Sequence, residues 1–301
     1  MSTIELGSGV LDELHHFLLI SEHGTFTKAA KVAHLSQPAL TAAIQRLEES
    51  MGARLFDRGR GGVRLTAAGQ ALVPHARAVL TSLADGRRAV GEVLALRAGE
   101  VRLGAGATSC TYLLPPLLAA FHARLPDLRL TLREATSLEA LDAVEAGELD
   151  LAIVAEVDGV RGRPTLTLER WREDTMVLVG TPSLAASLER DPSRIDHAPF
   201  VAFLRGTTRI LLDRHFPSAE RVMELGSLAA IKGNVRAGIG LALLSRAAID
   251  RDLELGALAL IAHPAVPLHY SLSLAHRGVT RLPPAAAALR AALLSPRARG
   301  L

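Results

Sequence analysis

The spacing of apolar residues changes near residue 99 of this 301-residue chain. Before that point apolar residues recur every three or four positions, which predicts helices. After it, short strand-like runs alternate with helical segments. This alternation predicts a doubly wound α/β fold, because each helix packs on the sheet that its flanking strands form. With 49% hydrophobic residues the chain can bury more than one core. We therefore expect a helical N-terminal domain followed by a larger α/β domain.

Residues 24–49 predict two short helices joined by a sharp turn. Thr25 or Thr27 can cap the first of these helices. Ser36 can cap the second, with Pro38 in its first turn, where the missing N–H leaves no hydrogen bond unmade. Two short helices with so little chain between them are typical of a helix-turn-helix.

The second of these helices has two different faces. Helical spacing places three aliphatic side chains on one side and uncharged hydrogen-bonding side chains on another. The aliphatic set is Leu40, Ile44 and Leu47, and the polar set is Gln37, Thr41 and Gln45. In the major groove of DNA, Gln pairs with adenine edges and Thr contacts a thymine methyl or donates to an acceptor. The pattern favours a DNA-reading helix over its alternative, an ordinary surface helix of an all-α domain.

A Gly-rich turn with basic residues follows this helix. Two strand-like pieces, residues 54–56 and 63–65, flank a turn that carries Arg58 and Arg60, with Arg64 just beyond it. From residue 24 to residue 64 there are seven Lys and Arg against three Asp and Glu, so positive charge is concentrated here. Arginines on such a hairpin are placed to hold phosphates, which predicts a basic wing beside the helix-turn-helix.

The stretches FLLISEHGTFTKAAKVAHLSQPALTAAIQRLEESMGARLFDR and VRLTAAGQAL resemble the winged helix-turn-helix of LysR-type transcriptional regulators. The resemblance covers residues 12–73. It implies base reading by Gln37, Pro38 and Thr41, although the family more often has Ser where this chain has Thr41. It also implies contacts to the DNA backbone from the wing and from helix starts. The predicted DNA-contacting residues are Thr25, Lys28, Ser36, Gln37, Pro38, Thr41, Gln45, Arg46, Arg58, Arg60 and Arg64.

After the wing, Thr66 can cap a long helix that runs to about Arg97. Its apolar residues recur near heptad spacing, which predicts a dimer seam. They are Leu72, Ala76, Val79, Leu83, Val90 and Leu94. The alternative is a single buried helix in a monomer, and the resemblance favours the seam. We thus predict a DNA-binding domain (1–65), a dimerisation helix (66–97) and an effector-binding domain (98–301), in a homo-oligomer that is a dimer or a tetramer.

The effector domain of such regulators has two lobes similar to periplasmic binding proteins, which the resemblance assigns to residues 98–160 with 267–301 (lobe I) and 161–266 (lobe II). Two loops, GAGATSCT and RGTTR, each follow a strand and open a helix. Ligands bind beyond the carboxyl ends of strands, and helix starts attract anions. The predicted residues for a small anionic effector are Thr108, Ser109, Thr207, Thr208, Arg205 and Arg209. Simple helix capping is the alternative, and Gly106 and Ala107 stand where many family members have Ser or Thr.

Other function classes have weaker support. The segment LGAGATS imitates a dinucleotide-binding fingerprint, but Ser109 replaces its third glycine, so a nucleotide-dependent enzyme is the less favoured alternative. Eleven scattered histidines and the single Cys110 form no catalytic or metal-binding pattern, so we expect no catalytic residue, metal or cofactor. Cys110 is either a redox switch or a small buried residue. A regulator that acts constitutively, without sensing a ligand, is the other alternative.

The sequence also bears on location. The N-terminal segment is acidic rather than basic, unlike a signal peptide. The longest uncharged segment, residues 104–123, contains two prolines and several hydroxyls, which disfavours a membrane span. One cysteine fits a reducing compartment. We therefore expect a cytoplasmic protein with double-stranded DNA as its partner and no membrane association.

Overall fold

The computed structural model describes residues 9–59, 62–95, 99–157 and 163–295. The chain divides into two compact units, Met1–Gly91 and Glu92–Leu301. None of the helices among the described residues is long and apolar enough to cross a membrane. The helices are α1 (Val10–His23), α2 (Phe26–Val32), α3 (Gln37–Met51), α4 (Ala67–Ala95), α5 (Pro115–Arg124), α6 (Ser137–Glu145), α7 (Pro182–Arg190), α8 (Thr207–His215), α9 (Leu228–Arg236), α10 (Arg246–Glu254) and α11 (Pro284–Leu293). The strands are β1 (Phe56–Gly59), β2 (Gly62–Leu65), β3 (Glu100–Ala105), β4 (Arg129–Glu134), β5 (Leu151–Ala155), β6 (Thr167–Gly180), β7 (Pro199–Phe203), β8 (Glu220–Leu225), β9 (Ala242–Ser245), β10 (Ala259–Ile261) and β11 (Leu268–His276).

In the first unit, α1, α2 and α3 pack around one apolar core, with Phe17 and the aliphatic face of α3 at its centre. The predicted caps are present. The side chain of Thr25, and not that of Thr27, accepts a hydrogen bond from Lys28 N, and Ser36 accepts one from Ala39 N. The predicted helix-turn-helix is therefore confirmed.

The antiparallel hairpin β1–β2 forms the wing. Strand β1 begins at Phe56, two residues later than predicted, because the Glu48 carboxylate accepts hydrogen bonds from Leu55 N and Phe56 N and holds this segment against α3. Val63 N donates to the carbonyl of Gly24, which ties the wing to the start of the helix-turn-helix.

Helix α4 begins as predicted, with the Thr66 hydroxyl accepting from Gly69 N at 3.0 Å. Gly69 lies so close to the preceding segment that a Cβ would collide with the carbonyl oxygen of Leu55. Two residues of the predicted dimer seam, Leu72 and Ala76, pack instead into the core of the first unit. The predicted end of the helix at Arg97 lies outside the described residues.

In the second unit, lobe I is built on the strand order β4–β3–β5–β11–β6. Strand β3 is parallel to β4 and β5, whereas β11 is antiparallel to both β5 and β6. Helices α5 and α11 cover one face with an apolar core that includes Leu103, Trp171 and Leu274. Helix α6 covers the other face.

Lobe II uses the distal half of β6, which pairs with β9 and β10. The parallel pair β7–β8 joins this group through a bridge between Phe200 and Leu241, and α7, α8, α9 and α10 complete the lobe. This arrangement confirms the predicted two-lobed α/β class, although its sheets are mixed rather than wholly parallel.

The lobes join inside continuous strands. On β6, Trp171 packs in the core of lobe I and Met176 in the core of lobe II, while on β11 Leu268 contacts lobe II and Leu272 lobe I. The predicted crossings near residues 156–162 and 263–267 are thus displaced along the chain, because β6 and β11 pair over nine residues and carry both connections between the lobes. Residues 158–162 lie outside the described part of the chain.

Candidate functional site

The predicted reading face of α3 is open to solvent. Gln37, Pro38 and Gln45 are exposed and Thr41 is half-buried, whereas the aliphatic face of the same helix is fully buried. The helical period therefore separates the two faces as the sequence indicated. A helix with this exposed polar face fits the width of the major groove.

The carboxamide of Gln37 has a hydrogen-bond partner from the preceding helix. Thr27 Oγ1 lies 3.2 Å from Gln37 Oε1 and donates to it. A carboxamide reads adenine with both its oxygen and its nitrogen, so a hydrogen bond to its oxygen limits the orientations in which it can pair with a base. Sequence reasoning considered Thr27 only as a helix cap and missed this contact.

The predicted backbone-contacting residues divide into three groups. Lys28 and Arg64 are exposed, and Thr25 and Ser36 present their hydroxyls at the starts of α2 and α3. For Arg58 only the backbone is described, and Arg60 lies outside the described residues. Arg46 is exposed but has a protein partner, since its Nε lies 2.7 Å from Glu13 Oε1.

A cavity of about 410 Å³ lies between the two lobes of the second unit. Five of the six predicted effector residues line it, and they come from segments about a hundred positions apart in the chain. These are Thr108, Ser109, Arg205, Thr207 and Thr208. Arg209 does not line the cavity, because its guanidinium is held by Asp213 at 2.7 Å and by Glu224 on the surface of lobe II.

Two helical segments start at the wall of this cavity without a side-chain cap. One opens at Ala107, after Gly106, and continues as the π-helical turn Ser109–Leu113. The other is α8, which follows Gly206 with φ of 93°. By contrast, α6 beside them has a full capping box between Thr136 and Glu139. Uncapped N–H groups at a helix start are donors for an anion, so the cavity wall carries two such donor sets.

One ion pair and one pair of hydroxyls at the cavity wall connect the two lobes. Arg205 Nη1 lies 2.5 Å from Glu139 Oε1, and the hydroxyls of Ser137 and Thr207 are 3.5 Å apart. Hydrogen bonds from the backbone and hydroxyl of Thr136 lower the pKa of Glu139, so this carboxylate is charged at neutral pH. Glu134 also lines the cavity. Among the described lining residues Arg205 is the one cation, and it already has a counterion.

The floor of the cavity contains a polar network that sequence reasoning missed. Tyr270 lines the cavity and donates to the buried carboxylate of Asp174 at 2.5 Å. Asp174 also accepts from Ser245 Oγ at 2.9 Å. Burial, followed by the charge of Asp174, raises the pKa of Tyr270. The three residues come from β11, β6 and β9, and no local motif marks them.

A further contact between the lobes involves a buried lysine. Lys232 Nζ of α9 in lobe II lies 2.8 Å from the hydroxyl of Tyr112, which belongs to the π-helical turn of lobe I. The same ammonium pairs with Asp252 Oδ2 at 2.7 Å. Because the π-helical turn also carries Ser109, one short segment contacts both the cavity and the opposite lobe.

The described features define a class of protein: a DNA-binding domain of winged helix-turn-helix type, followed by a two-lobed domain with an interlobe cavity. Comparison with protein families agrees. The model for the bacterial regulatory helix-turn-helix protein, lysR family, matches residues 11–70, and the LysR substrate binding domain matches residues 95–296. The chain belongs to the LysR family and is a DNA-binding transcriptional regulator, not an enzyme.

Several curated relatives are similar over most of the chain. A protein of Synechocystis sp. named "Probable RuBisCO transcriptional regulator" is 30% identical over 259 residues, which are 82% of this chain and 75% of the relative. A protein of Porphyra purpurea with the same name is 32% identical over 256 residues, 82% of this chain and 81% of the relative. The HTH-type transcriptional regulator CfxR of Cupriavidus necator is 30% identical over 295 residues, 94% of this chain and 90% of the relative.

Solved structures share the fold. Full-length LysG of Corynebacterium glutamicum with bound effector Arg has a TM-score of 0.65 at 22% identity, with 94% of this chain and 96% of that one covered. ArgP of Mycobacterium tuberculosis has a TM-score of 0.64 at 19% identity, with 96% and 98% covered.

Proposed function

We propose that this regulator is a cytoplasmic homo-oligomer, a dimer or a tetramer, that binds an imperfectly palindromic operator and responds to a small molecule with an anionic group. A symmetric oligomer presents two reading helices at a fixed spacing, which is the geometry that a palindromic site requires. The response requires a ligand that favours one arrangement of the lobes over another.

The observation that carries the ligand proposal is the interlobe cavity with two uncapped helix starts at its wall. Thr108 and Thr208 stand at these starts and add hydroxyl donors. A carboxylate or phosphate bound there would receive hydrogen bonds from both lobes at once. The neighbour LysG, whose structure contains a bound Arg effector, supports a small-molecule site in a domain of this fold.

The ligand site is tested by titration calorimetry with a panel of small carboxylates, sulfate and inorganic phosphate. Thr108→Ala and Thr208→Ala should each weaken binding by about 0.5–1.5 kcal/mol, and by more where the acceptor is charged. Ser193→Ala removes an exposed hydroxyl of lobe II that does not line the cavity, and serves as the matched control. An effector whose affinity is indifferent to both threonine variants would bind elsewhere.

The reading face is tested by comparing specific and non-specific DNA. Gln37→Ala should lose about 1–3 kcal/mol on the operator and little on unrelated DNA, because a base contact contributes only at the right sequence. Arg64→Ala in the wing should weaken both and reduce the salt dependence by about one charge, as expected for a phosphate contact. The promoter beside its own gene is the first probe, and a RuBisCO promoter is the second, because of the names of the relatives.

One observation favours the alternative of a constitutive regulator. Arg205, the one cation among the described residues of the cavity wall, is paired with the Glu139 carboxylate of the other lobe, so an anion would have to displace that carboxylate. A thermal shift screen separates the two functions, since a ligand at a hundred times its dissociation constant adds about 2.7 kcal/mol of stability. The constitutive function predicts that no compound raises the melting temperature or changes operator binding.

A further inference from the structure

The ion pair between Glu13 on α1 and Arg46 on α3 is asymmetric. The Glu13 side chain is 8% exposed, whereas that of Arg46 is 60% exposed, with Nε 2.7 Å from Glu13 Oε1. A carboxylate that is nearly fully buried loses its hydration, so its burial requires a compensating interaction. Within the described part of the chain, Arg46 is the one cation paired with it.

The contact uses only part of the guanidinium. Arginine has five N–H donors in a planar fork, and the bond to Glu13 occupies the single donor of Nε. The two Nη groups at the outer end carry the other four donors. Because the bond to Glu13 anchors Nε, it limits the positions that these outer donors can reach.

We infer that Glu13 is a positioning residue for DNA binding: it holds Arg46 so that the outer guanidinium donors contact a backbone phosphate beside the reading face of α3. This inference rests on the proposed phosphate contact of Arg46. Arg46 directly follows Gln45 on the exposed side of α3, where a phosphate flanking the major groove lies. Preorganising a long side chain reduces the conformational entropy that binding must remove.

Electrostatics alone predicts the opposite sign for the effect of Glu13. Removal of a negative charge near a DNA-binding surface should strengthen binding, because phosphates repel carboxylates. If Glu13 positions Arg46, its removal should weaken binding although the protein becomes more positive. The sign of the change therefore separates positioning from bulk charge.

The experiment measures operator affinity over a range of salt concentrations for Glu13→Leu and Glu13→Gln in the full-length protein. Leu fills the buried space without an acceptor, and we expect a loss of about five- to tenfold. Gln keeps an oxygen for Nε–H and should restore the parent affinity to within about twofold. Unchanged or stronger binding by Glu13→Leu, with an unaltered melting temperature, overturns the inference.

Two controls are needed. One tests the phosphate contact of Arg46 on which the inference rests, and the other tests whether the loss of any acid from α1 weakens DNA binding. Arg46→Ala tests the phosphate contact itself: if it leaves affinity and salt dependence unchanged, the proposed contact is wrong, and if it weakens binding while Glu13→Leu does not, only the positioning role is wrong. Glu22→Gln removes another acid of α1, which pairs at 3.5 Å with Arg77 of α4 and not with a residue of α3, and it should not weaken binding.

A double substitution keeps the test decisive if Glu13→Leu also lowers stability. In the Arg46→Ala background, Glu13→Leu should cause no further loss of affinity at a temperature where both proteins are folded, because there is no guanidinium left to position. If Glu13→Leu weakens operator affinity by the same factor in both backgrounds, Glu13 acts on the folded structure and not through Arg46.

Discussion

Arg205 of lobe II and Glu139 of lobe I form an ion pair of 2.5 Å at the wall of the interlobe cavity. The pair joins the two lobes. Any anion that reaches Arg205 must compete with the Glu139 carboxylate, and such competition alters the balance between lobe arrangements. Only a ligand that binds these arrangements with different affinities can change the affinity of the protein for DNA.

This pairing leads to a prediction for Glu139→Gln. The substitution frees Arg205 from its counterion and should strengthen binding of a carboxylate or phosphate effector by up to about 1 kcal/mol, the usual range for an exposed pair. Gln preserves the capping box with Thr136, so α6 should remain intact. Titration calorimetry checks the change, and Glu148→Gln, which removes an exposed acid paired with Arg133 in the same lobe, is the control. Weaker binding by Glu139→Gln would mean that the carboxylate itself contacts the ligand.

Local signals in the sequence were sufficient for the reading helix. The spacing of Leu40 and Ile44 against Gln37 depends only on the helical period, and the capping of α2 by Thr25 depends only on the next three residues. Both features depend on residues only a few positions apart, so they can be predicted directly from the sequence. The same reason explains why the capping of α4 by Thr66 was predicted.

The cavity could be predicted only in part. Thr108 and Thr208 follow strands and open helical segments, and that is a local pattern. Tyr270 and Asp174 are cross-strand partners on β11 and β6, and their contact depends on a pairing register that no local pattern specifies.

Cys110 is predicted to be unreactive at neutral pH. Burial, with a smaller effect from the charge of Glu134, raises the pKa of its thiol to about 11. Since the thiolate is the reactive form, only a minute fraction is available at pH 7. Alkylation by iodoacetamide, followed by mass spectrometry, should be much slower in the folded protein than after denaturation. Rapid modification of the native protein at pH 7 would support the redox-switch alternative.

The buried group around Asp252 predicts a large effect on stability. Asp252 is nearly fully buried and pairs with Lys232, itself buried, and with Arg236. Asp252→Ala leaves the Lys232 ammonium buried without its counterion, which should destabilise the protein by about 3–5 kcal/mol. Chemical denaturation, followed by a signal from the effector-binding domain, measures this loss in the free energy of unfolding. Glu254→Ala removes an exposed acid of the same helix and should cost little.

The same carboxylate gives a pH dependence of defined sign. Burial raises the pKa of Asp252, but hydrogen bonds from Lys232 and Arg236 outweigh burial and lower it. A folded-state pKa below the unfolded value near 3.9 stabilises the fold above that pH, and the contribution is lost as pH falls through the lowered pKa. Acid denaturation curves should therefore show a loss of stability below about pH 4, and this loss should be smaller in Asp252→Asn than in the parent. If the parent and Asp252→Asn lose stability equally as the pH falls below about 4, the Asp252 carboxylate makes no such contribution.

The dimer seam proposed for α4 leads to the last prediction. With Leu72 and Ala76 packed in the first unit, Val79 and Val90 are the exposed residues of the predicted seam among those whose side chains the structure describes. Val79→Asp would place a charge in an interface that excludes water, and it should dissociate the dimer because an unpaired buried charge costs several kcal/mol. Val79 is exposed in the single chain, so the substitution should leave the fold of the protomer intact.

Sedimentation velocity measures the assembly of Val79→Asp, with Ala78→Asp as the matched control. Ala78 is also exposed but is turned about 100° around the helix from Val79. The seam requires a smaller species for Val79→Asp and the parent assembly for Ala78→Asp. If both variants sediment like the parent, α4 does not hold the oligomer through this face. If both dissociate, the contact surrounds the helix and is not a heptad seam. Operator binding should weaken in parallel with dissociation, because a palindromic site needs two linked reading helices.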